Sequence, residues 1–270
     1  MKKKTDYILL VAGVVFLILF CVSGAMLIRY YGSTKEQQEM SVDLATLREQ
    51  DLANRLGQGT EISGQIDGQA AEKMDLGLQR SDSLLASINP DYVGWISIPD
   101  TEIYYPMVQR DNSHYLYYDF YDERDSHGTI FLDENRQVTD DVILIHGHHM
   151  KDGTMFAALK GYKKKDFRIE HPYLYLDFGA GDAEYEIFAA ALIDLAQEDY
   201  FAYDQFPASE EEKTQYLQKL KANAFWYDAP EDMSGQLVLL STCDYGSDEQ
   251  RLVVAAIKKE SEFSHGTDER

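Results

Sequence analysis

The sequence predicts a mainly β domain, an eight-stranded closed or half-closed barrel with helices on its flank, behind one membrane-crossing helix. Three observations carry that expectation. Eight short β-like runs follow Pro90, separated by turn residues. Three of them, 142–145, 237–240 and 252–257, are almost continuously apolar, the texture of strands covered on both faces. Only two or three short helical patterns accompany them, a balance that suggests a barrel with helices on its flank.

The elements follow in order. Residues 7–28 carry no charge, and these 22 residues are enough to cross a hydrocarbon core of roughly 30 Å. Lys2, Lys3 and Lys4 precede this run more tightly than Arg29 and Lys35 follow it, so residues 1–6 should stay cytoplasmic and the rest be exported. Val22-Ser23-Gly24-Ala25 offers a signal-cleavage alternative, but the apolar run exceeds the usual signal core and favours an anchor. Residues 29–83 form a stalk. Within it, Met40, Leu44 and Leu47 recur at helical spacing over 34–56, Gly59, Gly64 and Gly68 mark a linker, and 71–88 reads as a second helix stopped by Asn89-Pro90. The β-rich domain occupies 84–270. Its strands are expected at 94–98, 103–108, 128–132, 142–146, 173–178, 184–193, 236–242 and 252–258. Between the sixth and seventh, Ser209 and Glu212 make a capping box, and Tyr216, Leu217, Leu220 and Ala224 supply the apolar face of a helix over 209–226.

Charge excludes one class of function. The chain has 25 Lys+Arg against 47 Asp+Glu, a net −22. Residues 1–35 hold five bases and one acid, leaving −26 on the remainder, which repels nucleic acid and anionic lipid alike. The two cysteines form no CxxC pair, so neither a disulfide framework nor a cysteine zinc site is expected. Cys21 lies in the apolar run and reads as a packing residue. Cys243 is then a lone exported thiol, either an intermolecular link or a group with a task. The 19 tyrosines read as half-buried sheet residues.

Cys243 ends one apolar strand and Arg251 opens the next, with 244–250 expected as an exposed loop. If the two strands pair as a hairpin, the two residues face each other across its mouth, and a guanidinium beside a thiol favours its reactive anion. His146, His148 and His149 follow another buried strand. Alternation puts His146 and His148 on one side and His149 on the other if the extended form persists. Imidazoles so clustered serve as metal ligands or proton shuttles. Metal-dependent hydrolases with His-x-His add an acid two residues on, where this chain has Met150, although Asp152 is near. A cysteine, a histidine and an arginine at strand ends are the parts of thiol acyl transfer. Papain-type and caspase-type templates fit neither the order nor the interval.

Leu240-Ser241-Thr242-Cys243, with Arg251 eight residues on, resembles the L-x-T-C…R signature of sortases, the transpeptidases that attach proteins to Gram-positive cell walls. The segment 145–156, Ile-His-Gly-His-His-Met-Lys-Asp-Gly-Thr-Met-Phe, resembles G-H-H-M-K-D-G-x-M-F of class B sortases. Residues 89–99 resemble the start of their catalytic domain. The helix at 209–226 falls where class B enzymes insert one. The resemblance implies a sortase-like eight-stranded barrel, with Cys243 as nucleophile, Arg251 on the oxyanion side and His148 as acid/base, His149 being the nearest rival. Ser241 and Thr242 match pocket positions and Asn112 a substrate-contacting asparagine. His146 stands where many class B enzymes have tyrosine, a departure that leaves the substrate contact there open.

The implied reaction is ping-pong transpeptidation after the threonine of an NPxT or LPxT-like sorting signal at the C-terminal end of an exported protein. It runs through a Cys243 thioacyl intermediate, with an amine of peptidoglycan as acceptor. A pilin polymerase using a lysine amine is the alternative within the class. An exported thiol protease and a tethered binding module with a packed Cys243 are the readings outside it. No metal or organic cofactor is needed, and no Asp-x-Asp-x-Asp-Gly calcium loop is present.

Overall fold

The structure, a computed structural model, describes residues 2–58, 83–244 and 247–259. Two compact units divide the chain at residue 43.

The first unit is helical throughout its described residues, as part of α1 (Lys2–Gln58). No proline interrupts this stretch, and the run that includes Phe16, Leu17, Ile18, Leu19 and Phe20 exposes its side chains. It is long and apolar enough to cross a membrane. Cys21 is exposed on this helix, within the same apolar run.

The second unit contains the barrel. Its strands are β1 (Tyr92–Ser97), β2 (Tyr104–Val108), β3 (Ile130–Leu132), β4 (Val142–His146), β5 (Tyr173–Asp177), β6 (Asp182–Asp194), β7 (Ala224–Tyr227), β8 (Leu237–Asp244) and β9 (Ser247–Lys258). Eight of them close a ring in the order β5-β1-β2-β3-β4-β8-β9-β6, sealed by the antiparallel pairing of β5 with β6. The β2/β3 and β4/β8 pairs are parallel, and the others antiparallel. Short β7 hangs on β6 outside the ring.

All eight ring strands contribute to one core cluster, which therefore fills the barrel. Ile96, Met107, Ile130, Ile143, Leu176, Ile187, Leu240 and Val254 represent them, each fully buried. Alternate residues of β4, β8 and β9, among them Leu144, Leu239 and Ala255, form a second cluster outside. There they meet α4 (Glu210–Asn223) through Tyr216 and Leu220, and the 195–208 connection through Phe201 and Tyr203. This is why these three strands are apolar on both faces.

Several boundaries differ from the sequence expectation. Helix α4 stops at Asn223, because Ala224 is already extended and Phe225-Trp226-Tyr227 continue as strand β7, the conformation aromatics favour. At the other end Ser209 Oγ accepts from Glu212 N at 3.2 Å, but the Glu212 carboxylate reaches Ala208 N instead of closing the box on Ser209. Helix α2 (Leu84–Ile88), capped by Ser83, is the described part of the second predicted helix. The expected linker and residues 71–82 lie outside the described residues. Helix α3 (Lys165–Glu170) and 3₁₀ turns at His114–Leu116 and Phe156–Lys163 carried no clear sequence signal. The expected loop at 244–250 is mostly strand: Asp244 pairs with Ser247, and Gln250 pairs with Asp194 because β6 runs alongside.

From residue 44 onward α1 belongs to this unit. Leu44, Arg48 and Asp51 are buried. Arg48 bridges Asp177 Oδ2 at 3.3 Å and Asp182 Oδ1 at 2.6 Å, its guanidinium 5.1 Å from the Trp95 ring centroid. Asp51 accepts from Leu84 N at 2.9 Å and from the Ser83 hydroxyl.

Candidate active site

Register brings most of the predicted residues to one face. On β8, Leu237 and Leu239 point to the outer cluster, so Ser241 and Cys243 continue that row. Cys243 lies opposite Arg251 and Ser241 opposite Val253 across the β8/β9 hairpin, as a hairpin pairing requires. Opposed residues of an antiparallel pair share a face, so Arg251 joins them. On β4, Val142 and Leu144 are also outer residues, and His146 follows them beside Ser241.

Cover ends along this row. Ser241 is 3% exposed, whereas Cys243 is exposed. Arg251 is half-buried and donates from Nη1 to Gln250 O at 3.2 Å. Thr242 turns the other way, into the barrel, where its hydroxyl is buried with no hydrogen-bond partner among the described residues.

Strand β4 ends at His146, so simple alternation no longer governs the histidines beyond it. Gly147 makes the exit, its N–H donating to Ser241 O at 3.2 Å. A Cβ there would stand 2.4 Å from Ile130 Cδ1 and 2.8 Å from Phe156 Cδ2, both side chains fully buried. Only glycine fits so close an approach. His148 Nε2 donates to Leu116 O at 2.8 Å, and its carbonyl accepts from Phe156 N at 2.9 Å. His149 turns to the hairpin and donates from Nδ1 to Cys243 O at 3.2 Å. The two neighbours thus serve different partners, and the Gly147–His149 turn is tied directly to the strand end that carries the thiol.

Two predicted binding residues, His146 and Asn112, converge through a carboxylate that the sequence reading missed. Asp133, 4% exposed just past β3, accepts at Oδ2 from His146 Nε2 at 3.0 Å and from Asn112 Nδ2 at 2.9 Å, and at Oδ1 from Asn135 N at 2.9 Å. Burial works to raise the Asp133 pKa, but these hydrogen bonds outweigh it and hold the carboxyl below its usual range. Asn112 Oδ1 accepts from Glu134 N at 2.9 Å, so both ends of its amide are held. His146 stacks on Phe131 with ring centroids 5.0 Å apart.

Tyr203 was also missed. Its hydroxyl lies 3.0 Å from Ser241 Oγ, and its carbonyl accepts from Tyr216 OH of α4 at 2.5 Å. Burial pushes the phenol up, against the pull of the Ser241 hydroxyl and the Arg251 guanidinium. Tyr203 sits in what reads as a plain connection, and only the folding of 195–208 onto the outer face brings it to Ser241. Among the described residues no group of three or more His, Cys, Asp or Glu is arranged to hold a metal ion. Asp152, the remaining acid near the histidines, pairs with His127.

An exposed thiol opposite a guanidinium, beside an imidazole-bearing turn, can support nucleophilic attack on a carbonyl and proton transfer to a leaving group. Comparison with known proteins agrees. A family model described as the Sortase domain matches residues 96–259. A protein named Sortase B from Listeria monocytogenes is 37% identical over 172 residues, covering 62% of this chain and 68% of that protein. Sortase B of Staphylococcus aureus is 31% identical over 179 residues, covering 64% and 72%. The X-ray structure of Clostridium perfringens sortase B matches with a TM-score of 0.60 and 30% identity, covering 65% of this chain and 98% of that one.

Proposed function

The chain belongs to the sortase family of cysteine transpeptidases, class B in kind, and from that premise we propose that it is a membrane-anchored enzyme whose nucleophile is Cys243. The observation that carries this reading is the exposed Cys243 opposite Arg251, with the turn bearing His148 tied to the same strand end by His149. Cys243 attacks the threonine carbonyl of a sorting signal. The C–N bond after threonine breaks, and His148 gives its proton to the departing amine. An acceptor amine then attacks the thioacyl carbon, loses a proton to the same imidazole, and the Cys243 sulfur leaves. Arg251 hydrogen-bonds the developing oxyanion or holds the peptide.

With Nε2–H on Leu116 O, Nδ1 is the His148 nitrogen that exchanges the proton. Ser241, Asn112 and His146 shape the peptide site, with Asp133 fixing the last two, whereas Thr242, expected to join them, faces the barrel interior and supports the strand from within. Residues 7–28 anchor the enzyme, residues 1–6 are cytoplasmic, and the rest acts outside the cell; the stalk expected over 29–83 is shortened at its far end, because α1 from residue 44 onward packs within the barrel unit. The basic cluster at Lys2–Lys4 supports that orientation. The donors are exported proteins with a C-terminal sorting signal, and the acceptor is a peptidoglycan amine.

The test mixes the full chain in detergent with labelled N-P-x-T and L-P-x-T peptides and looks by mass spectrometry for an acyl adduct on Cys243. Added amine should speed turnover, which it does not do for a hydrolytic protease. Full activity in Cys243→Ala would overturn the assignment.

A further inference from the structure

His127 belongs to none of the groups assigned so far, yet it is 2% exposed and holds a carboxylate at each ring nitrogen. Nδ1 lies 2.6 Å from Asp125 Oδ1 and Nε2 lies 2.9 Å from Asp152 Oδ2. An ionised carboxylate only accepts, so both ring nitrogens must carry hydrogen, and the group is an imidazolium between two anions.

The two carboxylates belong to two different segments. Asp152 lies four residues beyond His148, and its Oδ1 accepts from Thr154 N at 3.1 Å and Thr154 Oγ1 at 2.7 Å. On the other side, Asp125 N donates to Tyr117 O at 3.0 Å, Thr129 N to Tyr115 O at 2.9 Å and Thr129 Oγ1 to Tyr118 O at 3.0 Å. Gly128 permits this approach: its φ is +60°, and a Cβ would stand 2.3 Å from Tyr115 O. The 115–118 segment thus fixed is the one whose Leu116 carbonyl receives His148 Nε2. The circuit closes on His148 from both ends.

We propose that His127 is a positioning residue for the transfer reaction: as an imidazolium it clamps the 148–154 turn to the 115–118 segment and so fixes the orientation of the His148 ring. The proposal rests on the reading of His148 as the acid/base group.

The clamp carries a sign in pH. The charged groups facing the ring are Asp125 on its own segment and Asp152 on the turn after β4; the Tyr105 phenol, which accepts from Met155 N, stands near Asp152. Burial disfavours the charged ring, but the two carboxylate bonds outweigh it and raise its basicity above the ordinary histidine value. A raised folded value means that the clamp is complete below about pH 6.5 and is lost as pH rises through the folded pKa, when one of the two bonds must break.

Three measurements on the full chain in detergent test it. With ¹⁵N-labelled histidine, both ring nitrogens of His127 should report protonation at pH 7, and the ring should titrate at lower pH in Asp152→Asn, whose amide can donate to a neutral imidazole. In sorting-peptide turnover, His127→Ala and Asp152→Asn should each lower kcat on the order of tenfold while KM stays nearly constant. Iodoacetamide should meanwhile alkylate Cys243 at the wild-type rate. The near-isosteric Asp152→Asn keeps the test alive should His127→Ala fail to fold. A neutral His127 ring at pH 7, or wild-type kcat and pH profile in Asp152→Asn, overturns the clamp. If the wild type forms no Cys243 adduct, the transpeptidase reading fails instead, and the His148 ring signals still decide the clamp: a shift in Asp152→Asn supports it and none sinks it.

Discussion

Replacing Asp133 by asparagine isolates the carboxylate that organises His146 and Asn112. The substitution keeps volume and leaves an oxygen for Asn135 N, but aims an N–H₂ at two donors, His146 Nε2 and Asn112 Nδ2. His146 can respond by changing tautomer and accepting. Asn112 cannot flip without releasing Glu134 N from its Oδ1. One buried donor is therefore left facing another. A single unsatisfied buried group costs about 1–3 kcal/mol, and about 2 is expected here because Asp133 is 4% exposed. In a unit of this size that lowers Tm by roughly 4–8 °C, readable by calorimetry. KM for the sorting peptide should rise with it, since both held side chains are freed. The reversed pair, Asp133→Asn with Asn112→Asp, restores donor to acceptor at that contact and should recover at least half of the stability. A Tm within 1 °C of wild type for the single variant, or no recovery in the double one, would refute the reasoning.

Acid should erase the Asp133 difference. Its folded pKa is lowered, so its contribution is full above about pH 4, the unfolded value, and is lost as pH falls through the folded one; the Tm gap between wild type and Asp133→Asn should close on that side in a pH series. Arg48→Met removes the cation that faces Asp177, which is 1% exposed, and should cost about 3 kcal/mol by urea denaturation, with part recovered when Asp177→Asn is added. Asp182, half exposed, contributes little to that loss. Gly147→Ala places a methyl against Ile130 and Phe156 and should lose at least about 2 kcal/mol together with most turnover, measured by Tm and kcat.

The barrel was legible because its signals are local. Strand β4 has the same bounds in the sequence reading and in the structure, since an uninterrupted Val-Ile-Leu-Ile run between Asp141 and His146-Gly147 has few alternatives. Strand β7 was not legible: Ala-Phe-Trp-Tyr directly after a helix prolongs its apolar pattern, and only the free edge of β6 makes it a strand. Site residues divide the same way. Cys243 and Arg251 lie on two strands that follow each other in the chain and pair side by side, so their meeting could be read from spacing once that pairing is assumed. Asp133 reaches His146 through the β3/β4 pairing, Tyr203 reaches Ser241 across 38 positions, and His127 reaches Asp152 across 25. Those contacts depend on how strand ends and loops meet in space and, for Tyr203, on the 195–208 segment lying down on the outside of the ring. No local pattern encodes either.

The covering of β8 stops between Ser241 and Cys243, and that border has a consequence for how such a molecule can change. Position on the strand sets where the sulfur is, but the 195–208 span sets how much of its surroundings is roofed. Adding or removing residues in that span would slide the roof along the strand like a shutter, widening or narrowing what reaches the thiol, while the hydrogen-bonded ring beneath stays closed. Selectivity and architecture can therefore drift independently, because they are written in separate stretches of chain.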